Sequence, residues 1–302
     1  MFSDLLNETG LSLDRLESFC LVAQAGGVTK AAKGDPARQS LFSRQVKELE
    51  EFFGTELIRR KGRGIVLTEA GQRLHLVAGD CFASLSDFKN DCKGRPVEIV
   101  IGTGESIIQW LIMPRLDDLR QRLPNVRLKL LNLPTAEAVK RLADGVIDFA
   151  LVRTDAVKRP LQATPLGDLT YALFVPGSFR AAPGQKSKPQ ALGGIPLATL
   201  EGEGSFRNEL ASIAKREGHV LNIQVECSSF PLAARAVAKG NVAAILPSIA
   251  AADLVEAGAQ EVSVPFLKHF AREMCLASNA RLIRIRPVLQ KVAHVLAQAC
   301  RL

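Results

Sequence analysis

Residues 38–74 read RQSLFSRQVKELEEFFGTELIRRKGRGIVLTEAGQRL, and this stretch decides the fold of the first third of the chain. Apolar residues at Phe42, Val46, Leu49 and Phe53 are spaced four, three and four apart, which builds one buried stripe along a helix. The opposite face carries Gln39, Ser40, Ser43, Arg44 and Lys47, with Arg38 just before them. These side-chain types hydrogen-bond base edges and phosphate oxygens, and at this spacing they project together into a major groove. On an isolated amphipathic helix the same face would be ordinary solvated surface. The residues that follow favour the first reading.

Gly54 stands where a helix C-cap is wanted. After it, Leu57-Ile58-Arg59-Arg60 and Ile65-Val66-Leu67 flank Lys61-Gly62-Arg63-Gly64, a hairpin signal with a basic tip suited to phosphate. Thr68 suits the N-cap of a further helix, with Glu69 favourably placed in its first turn. Helix, basic hairpin and second helix in that order read as a winged helix-turn-helix.

Residues 11–74 resemble the DNA-binding domain of LysR-type transcriptional regulators. The resemblance is carried by Thr29, Ala31, Ala32, Gln39, Ser43, Arg44, Gln45, Leu49, Glu50, Gly54, Leu57, Arg59 and the run Leu67 to Gly71. The chain departs from the family between its two helices, where it reads Lys33-Gly34-Asp35-Pro36-Ala37-Arg38 instead of an apolar Leu, an apolar Val and a capping Ser. Asp35 can cap a helix that begins at Pro36, with Gly34 closing the helix before it, so a shorter turn and a longer recognition helix are expected. The DNA-binding residues expected here are Thr29, Arg38, Gln39, Ser40, Ser43, Arg44, Lys47, Arg59, Arg60, Lys61 and Arg63.

Upstream, Ser12 is placed to cap a helix from Leu13 to about Ala25 that packs the recognition domain. Downstream, Ala70, Leu74, Ala78, Cys81, Leu85, Phe88 and Cys92 recur three or four apart from Thr68 to Cys92. A helix that long with a single stripe has no obvious domain to lie against and suits a second copy of itself, the alternative being that it packs on its own chain. The resemblance implies the same linker helix as a dimer seam, and a tetramer through the effector domains. The expected organisation is a winged helix-turn-helix over residues 1–67, a linker and dimerisation helix over 68–92, and an effector-binding domain over 93–302.

From Val97 onward, strands alternate with helices, as in Val97 to Ile101, Ile107 to Arg122, Val126 to Leu131, Thr135 to Ala143 and Phe149 to Val152. The pattern recurs from Pro196 to Leu246. Two βαβαβ units in tandem predict two α/β lobes with largely parallel sheets. The resemblance implies an effector domain of the periplasmic-binding-protein type, with crossover strands near Thr170 to Val175 and after Val262. Lobe I is then about 93–165 with 268–302, and lobe II about 170–264. A ligand between them would meet the loops at the carboxyl ends of the strands, which makes Thr103, Gly104, Glu105, Ser106, Thr135, Arg153, Thr154, Gly204, Ser205, Phe230 and Pro247 the effector-binding candidates. Free backbone donors and Arg153 lean toward a small carboxylate, a lean opposed by Glu105, Glu201 and Glu203.

Composition narrows the classes further. The net charge of +8 is not a DNA signal in itself, because residues 1–95 hold 14 basic and 13 acidic side chains. The local excess is what counts: nine basic against five acidic between Lys30 and Arg63. Part of the remaining basic excess lies after Pro265, in Lys268, Arg272, Arg281, Arg284, Arg286, Lys291 and Arg301, and reads as solvated surface, with an acidic partner or anionic ligand as the less favoured alternative. Six cysteines and four histidines show no metal-ligand spacing, so reduced buried thiols are expected and no metal or cofactor. Gly102-Thr103-Gly104 lacks the third glycine and the ribose-binding acid of a dinucleotide site, and no catalytic triad can be assembled. The N-terminus lacks the features of a signal peptide and no apolar run reaches the roughly 18 residues of a membrane span, so a cytoplasmic protein is expected. The residues together read as an effector-controlled, homo-oligomeric regulator of transcription that acts on double-stranded DNA and is not an enzyme. Two alternatives stay open on sequence alone: a ligand-binding protein with a degenerate DNA-binding module, and a cytoplasmic enzyme on a two-lobed fold.

Overall fold

Ser12, in extended conformation, accepts a hydrogen bond from the Arg15 N–H at 3.2 Å and so opens helix α1, Leu13–Ala25. It belongs to a unit spanning residues 1–95, which is distinct from a second unit spanning 96–302. The computed structural model describes residues 5, 9–62, 64–179, 194–202, 205–264, 267 and 270–302, with backbone only for Ser205. In the first unit a short α2 (Val28–Ala31) precedes α3 (Pro36–Phe53). The Asp35 carboxylate accepts from the N–H groups of Ala37 and Arg38 at 2.9 and 3.3 Å, a cap of about 1 kcal/mol that fixes where α3 begins. Gly54, at φ +63°, ends it in the left-handed region.

Strands β1 (Ile58–Lys61) and β2 (Gly64–Leu67) form the antiparallel hairpin, and α4 (Glu69–Cys92) follows. The core is Phe19, Val22, Phe42, Val46, Leu49, Leu57 and Ala78. Phe53 is the exception in the stripe, because it reaches the rim of the domain and stays exposed.

The apolar stripe of α4 divides. Ala70, Leu74 and Ala78 pack into the core of their own domain, which corrects the expectation that the whole stripe lacks a domain to lie against. On another face of the same helix Val77, Leu85 and Phe88 are 63%, 47% and 68% exposed. Cys81 and Cys92 on the same helix are exposed as well, contrary to the expectation of buried thiols, whereas Cys20, Cys275 and Cys300 are buried.

The second unit has two five-stranded sheets. Lobe I is ordered β4-β3-β5-β12-β6, from β3 (Val97–Thr103), β4 (Val126–Asn132), β5 (Phe149–Arg153), β6 (Leu161–Leu169) and β12 (Arg272–Asn279). Lobe II is ordered β11-β7-β10-β8-β9, from β7 (Tyr171–Val175), β8 (Leu197–Leu200), β9 (Ile223–Cys227), β10 (Ala243–Pro247) and β11 (Gln260–Val262). The chain passes from one sheet to the other at Thr170 and returns between β11 and β12. Helices α7 (Thr135–Ala143), α8 (Ser205–Arg216), α9 (Phe230–Ala238) and α10 (Ala251–Glu256) connect strands, and α11 (Ala280–Ile285) and α12 (Pro287–Ala299) close the fold.

The continuous helix expected from Ile107 to Arg122 is interrupted. A short α5 (Glu105–Ile107) runs into a π-helical turn, Ile108–Ile112, in which the Met113 N–H reaches back to Ile108 O. A 3-10 turn at Met113–Arg115 precedes α6 (Leu116–Arg122), and Pro114 there has no N–H with which to continue an α-helical ladder.

Two basic residues after Pro265 are not solvated surface. Arg286 is buried against the equally buried Asp148, whose other oxygen accepts from the Val100 N–H at 2.7 Å. Arg272 is also largely buried, with a side chain 10% exposed.

One close approach holds the hairpin to α4. The Thr68 hydroxyl accepts from Gly71 N–H at 3.0 Å and donates to Glu56 O at 2.7 Å, so the first turn of α4 lies hard against the chain entering β1. A Cβ at Gly71 would fall 1.9 Å from Leu57 O. Gly71→Ala must therefore push two backbones apart. It is expected to lower the stability of the first unit by about 2–3 kcal/mol, measured by denaturant unfolding of the full chain, and a change under 0.5 kcal/mol would show that the approach is not binding.

Candidate functional site

On α3 the inward side chains are Phe42, Val46 and Leu49, and Gln45 turns in with them to accept a hydrogen bond from the buried Ser18 hydroxyl at 2.5 Å. Glu50 is also occupied internally, taking the N–H groups of Leu57 and Ile58 at 2.8 and 3.2 Å on one oxygen. The outward face is Arg38, Gln39, Ser40, Ser43, Arg44 and Lys47, all exposed. Thr29 on α2 is exposed, as are Arg59, Arg60 and Lys61 on the hairpin; Arg63 lies outside the described residues.

Acidic neighbours temper three of these cations: Arg44 lies 3.7 Å from Glu48, Lys47 is 3.6 Å from Glu51, and Arg59 is 3.0 Å from Glu56. Exposed pairs of this kind contribute only about 0.3–0.5 kcal/mol, too little to withhold the cations from a phosphate. The Arg38 guanidinium lies 5.9 Å from the centre of the Phe42 ring, which directs it along the start of α3.

In the second unit a cavity of about 820 Å³ opens between the two lobes. Lobe I contributes Thr103, Gly104, Ser106, Thr135 and Arg153 to its lining, lobe II contributes Tyr171, Phe206 and Phe230, and the crossover strands contribute Leu169, Arg272 and Met274. Six of the sequence candidates thus meet around one space. Thr103 is fully buried and its hydroxyl donates to Leu151 O at 2.6 Å, so it ties β3 to β5 as well as bordering the cavity.

Glu105 points to solvent, Thr154 begins a 3-10 turn, and Pro247 is buried in β10 opposite Tyr171; none of the three borders the cavity. Gly204 lies outside the described residues, and Ser205 is described only as the first residue of α8. Tyr171, Phe206, Lys158 and Arg272 line the cavity without having been singled out from sequence. Burial pushes the Tyr171 phenol up to about 12, against the pull of Arg272 beside it, so it stays a neutral donor at physiological pH.

The lobes also meet away from the cavity. Trp110, on the π-helical turn of lobe I, is 4% exposed and packs among Ala172, Phe174, Leu246 and Leu254 of lobe II. Its indole N–H donates to Asp253 on α10 at 3.0 Å. Among the described residues, no three His, Cys, Asp or Glu side chains are grouped to hold a metal ion, and no helix is long and apolar enough to cross a membrane.

Residues 94–301 match the family model described as the LysR substrate binding domain, and residues 13–72 match that of the lysR family of bacterial regulatory helix-turn-helix proteins. The chain belongs to the LysR family of transcriptional regulators. As a member of that family it is a DNA-binding regulator of transcription with an effector-binding domain. Among its relatives is a probable RuBisCO transcriptional regulator of Cyanophora paradoxa, 28% identical over 84% of this chain and 81% of the relative. Full-length LysG of Corynebacterium glutamicum, solved with its effector Arg bound, superposes with a TM-score of 0.64 at 17% identity over 96% of this chain and 98% of that one. Full-length CbnR in complex with its target DNA gives a TM-score of 0.57 at 20% identity over 96% and 100%. At these identities the two structures establish the shared fold.

The Trp110 contact makes a measurable statement about the lobes. Asp253→Ala strands a buried indole N–H, and is expected to destabilise the effector domain by about 1–3 kcal/mol and to alter the emission of the only tryptophan. Thermal unfolding followed by fluorescence checks both, and an unchanged midpoint with an unchanged spectrum would remove the contact from the account.

Proposed function

We propose that this LysR-family regulator reads a two-fold DNA site as a homodimer and that its effector binds in the cavity between the two lobes. The exposed polar face of α3 supports the reading of bases by Gln39, Ser43 and Arg44, with Ser40 beside them. The exposed cations Arg38, Lys47, Arg59, Arg60 and Lys61, joined by Thr29, support phosphate contacts, and Arg63 belongs to the same set by its place in the sequence between Gly62 and Gly64.

The dimer reading rests on α4. Val77, Leu85 and Phe88 form an exposed apolar face beside a groove of about 630 Å³ lined by Leu11, Leu16, Phe53, Leu57 and Leu74. A two-fold arrangement through α4 would hold two recognition helices about 34 Å apart or a multiple of it. A tetramer through the effector domains is the further assembly that the family suggests. The chain acts by binding and not by catalysis, in keeping with relatives that are regulators, and its place is the cytoplasm, where its DNA target lies.

The single observation that carries the effector reading is the meeting of Thr103, Ser106, Thr135, Arg153 and Phe230, from both lobes, around one cavity. Two experiments test the reading. Arg44→Ala is expected to cost about 1–3 kcal/mol on the cognate operator and little on random DNA, whereas Lys61→Ala weakens both alike and flattens the salt dependence. Equal losses on both DNAs for both variants would remove base reading from Arg44. Leu85→Asp is expected to give a smaller species in sedimentation and weaker operator binding, and an unchanged mass would place the assembly elsewhere.

A further inference from the structure

The charge bordering the interlobe cavity is one-sided. Arg153, Lys158 and Arg272 line it, and Asp155 is the one acidic residue among the described lining. Glu105 and Glu201, which argued against an anion on sequence alone, do not border it. Lys158 is exposed and has no ion pair among the described residues. Arg153 is only loosely engaged, its Nε 3.4 Å from an Asp155 that is mostly in solvent.

Arg272 is the decisive residue. Its side chain is 10% exposed, and Nη2 donates to Glu209 Oε2 at 2.6 Å. Glu209 is half in solvent and takes one amino group, while a guanidinium presents five donors in a rigid fork. The Tyr171 hydroxyl lies against the same guanidinium, and the donors of the fork beyond these two partners remain available to an anion in the cavity that Arg272 lines. Register brings the two guanidinium groups to one surface. Met274 of β12 stands opposite Arg153 of β5, and Arg272 is two residues along β12, so both arginines rise from the same face of the sheet as diagonal neighbours.

The facing wall is aromatic. Tyr171 and Phe206 have ring centres 5.1 Å apart, and Phe206 meets Phe230 edge-on at 4.7 Å. Phe270 packs behind at 4.9 Å from Tyr171, with the Arg272 guanidinium 5.6 Å from its ring centre. Ring edges and faces arranged in this way receive another planar π system better than a saturated chain.

We propose that the cavity takes an aromatic carboxylate, its carboxylate shared by Arg153 and Arg272 and its ring laid against Tyr171, Phe206 and Phe230. The proposal rests on the reading of the interlobe cavity as the effector site and adds the chemistry of the ligand. The cavity's volume, about 820 Å³, lies within the ordinary range of small-molecule sites.

The test is calorimetric titration of the full chain with benzoate and 2-naphthoate, set against their amides, cyclohexanecarboxylate and benzylamine. At least one aromatic acid should bind ten or more times more tightly than its amide, and more tightly than the saturated acid. Arg272→Met should erase the preference for acid over amide while the amide still binds. Arg153→Gln gives a second, more exposed position should the first variant fold poorly. Phe230→Leu should bring benzoate and cyclohexanecarboxylate toward equal affinity. No binding of either aromatic acid, amide binding as tight as acid, equal affinity for the saturated acid, or preference for benzylamine would overturn the proposal.

Ser106→Trp separates this from the reading beneath it. If a cationic or saturated effector is found and Ser106→Trp abolishes its binding, the ligand class proposed here is wrong and the cavity remains the site. Undiminished binding of an aromatic acid to that variant would overturn the cavity assignment itself.

Discussion

The antiparallel pairing of β6 with β12 is the constraint on which the effector half depends. β6 ends at Leu169 directly opposite Arg272, where β12 begins. The chain leaves lobe I one residue later and comes back just before, so both passages between the lobes emerge side by side from one edge of one sheet. Two adjacent crossings of this kind are the covalent tether about which any relative movement of the lobes must turn. They also bring Leu169, Tyr171, Arg272 and Met274 to the floor of the cavity, because the residues of the passage are the residues between the lobes. Trp110 reaches across at another point, so any relative movement of the lobes must be reconciled with an indole packed into lobe II and hydrogen-bonded to Asp253.

In the first unit the residues that mark the family fall into two physical kinds. Gln45, Glu50, Thr68 and Gly71 are spent on the fold: one joins α3 to α1, one caps the chain entering β1, and two hold the hairpin against α4. Arg44 and its exposed neighbours have no comparable internal task. The domain therefore offers its polar face from a helix whose position is fixed at three points, the Asp35 cap, the Gln45 hydrogen bond and the Glu50 carboxylate.

Much of this was legible in the sequence because local signals coincide with the tertiary result. Asp35 before Pro36 locates the start of α3, the four-three-four spacing names its buried face, and alternating strands and helices announce the two lobes. What stayed hidden depends on partners distant along the chain. β6 and β12 carry Pro165, Gly167 and Arg272 and do not show the run of apolar residues that marks β5. Arg286 reads as surface until Asp148, 138 residues earlier, is seen to meet it. Arg272 reads so for the same reason, since its burial comes from Tyr171, Glu209 and Phe270 together. The π-helical turn at Ile108–Ile112 gave no periodicity signal, because Ile107, Leu111 and Ile112 fit a regular helix equally well.

One helix does two jobs in α4. The side chains that complete the core of the DNA-binding unit and those left bare in solvent alternate along the same few turns, with Leu74 and Ala78 turned in and Val77 turned out. Whatever covers the bare face also restrains the turns that complete the core, so occupancy of that face and integrity of the domain are thermodynamically linked. Where the cover is the second copy proposed above, the fraction of intact DNA-binding units rises by mass action with the amount of regulator, and dilution lowers the stability of the domain.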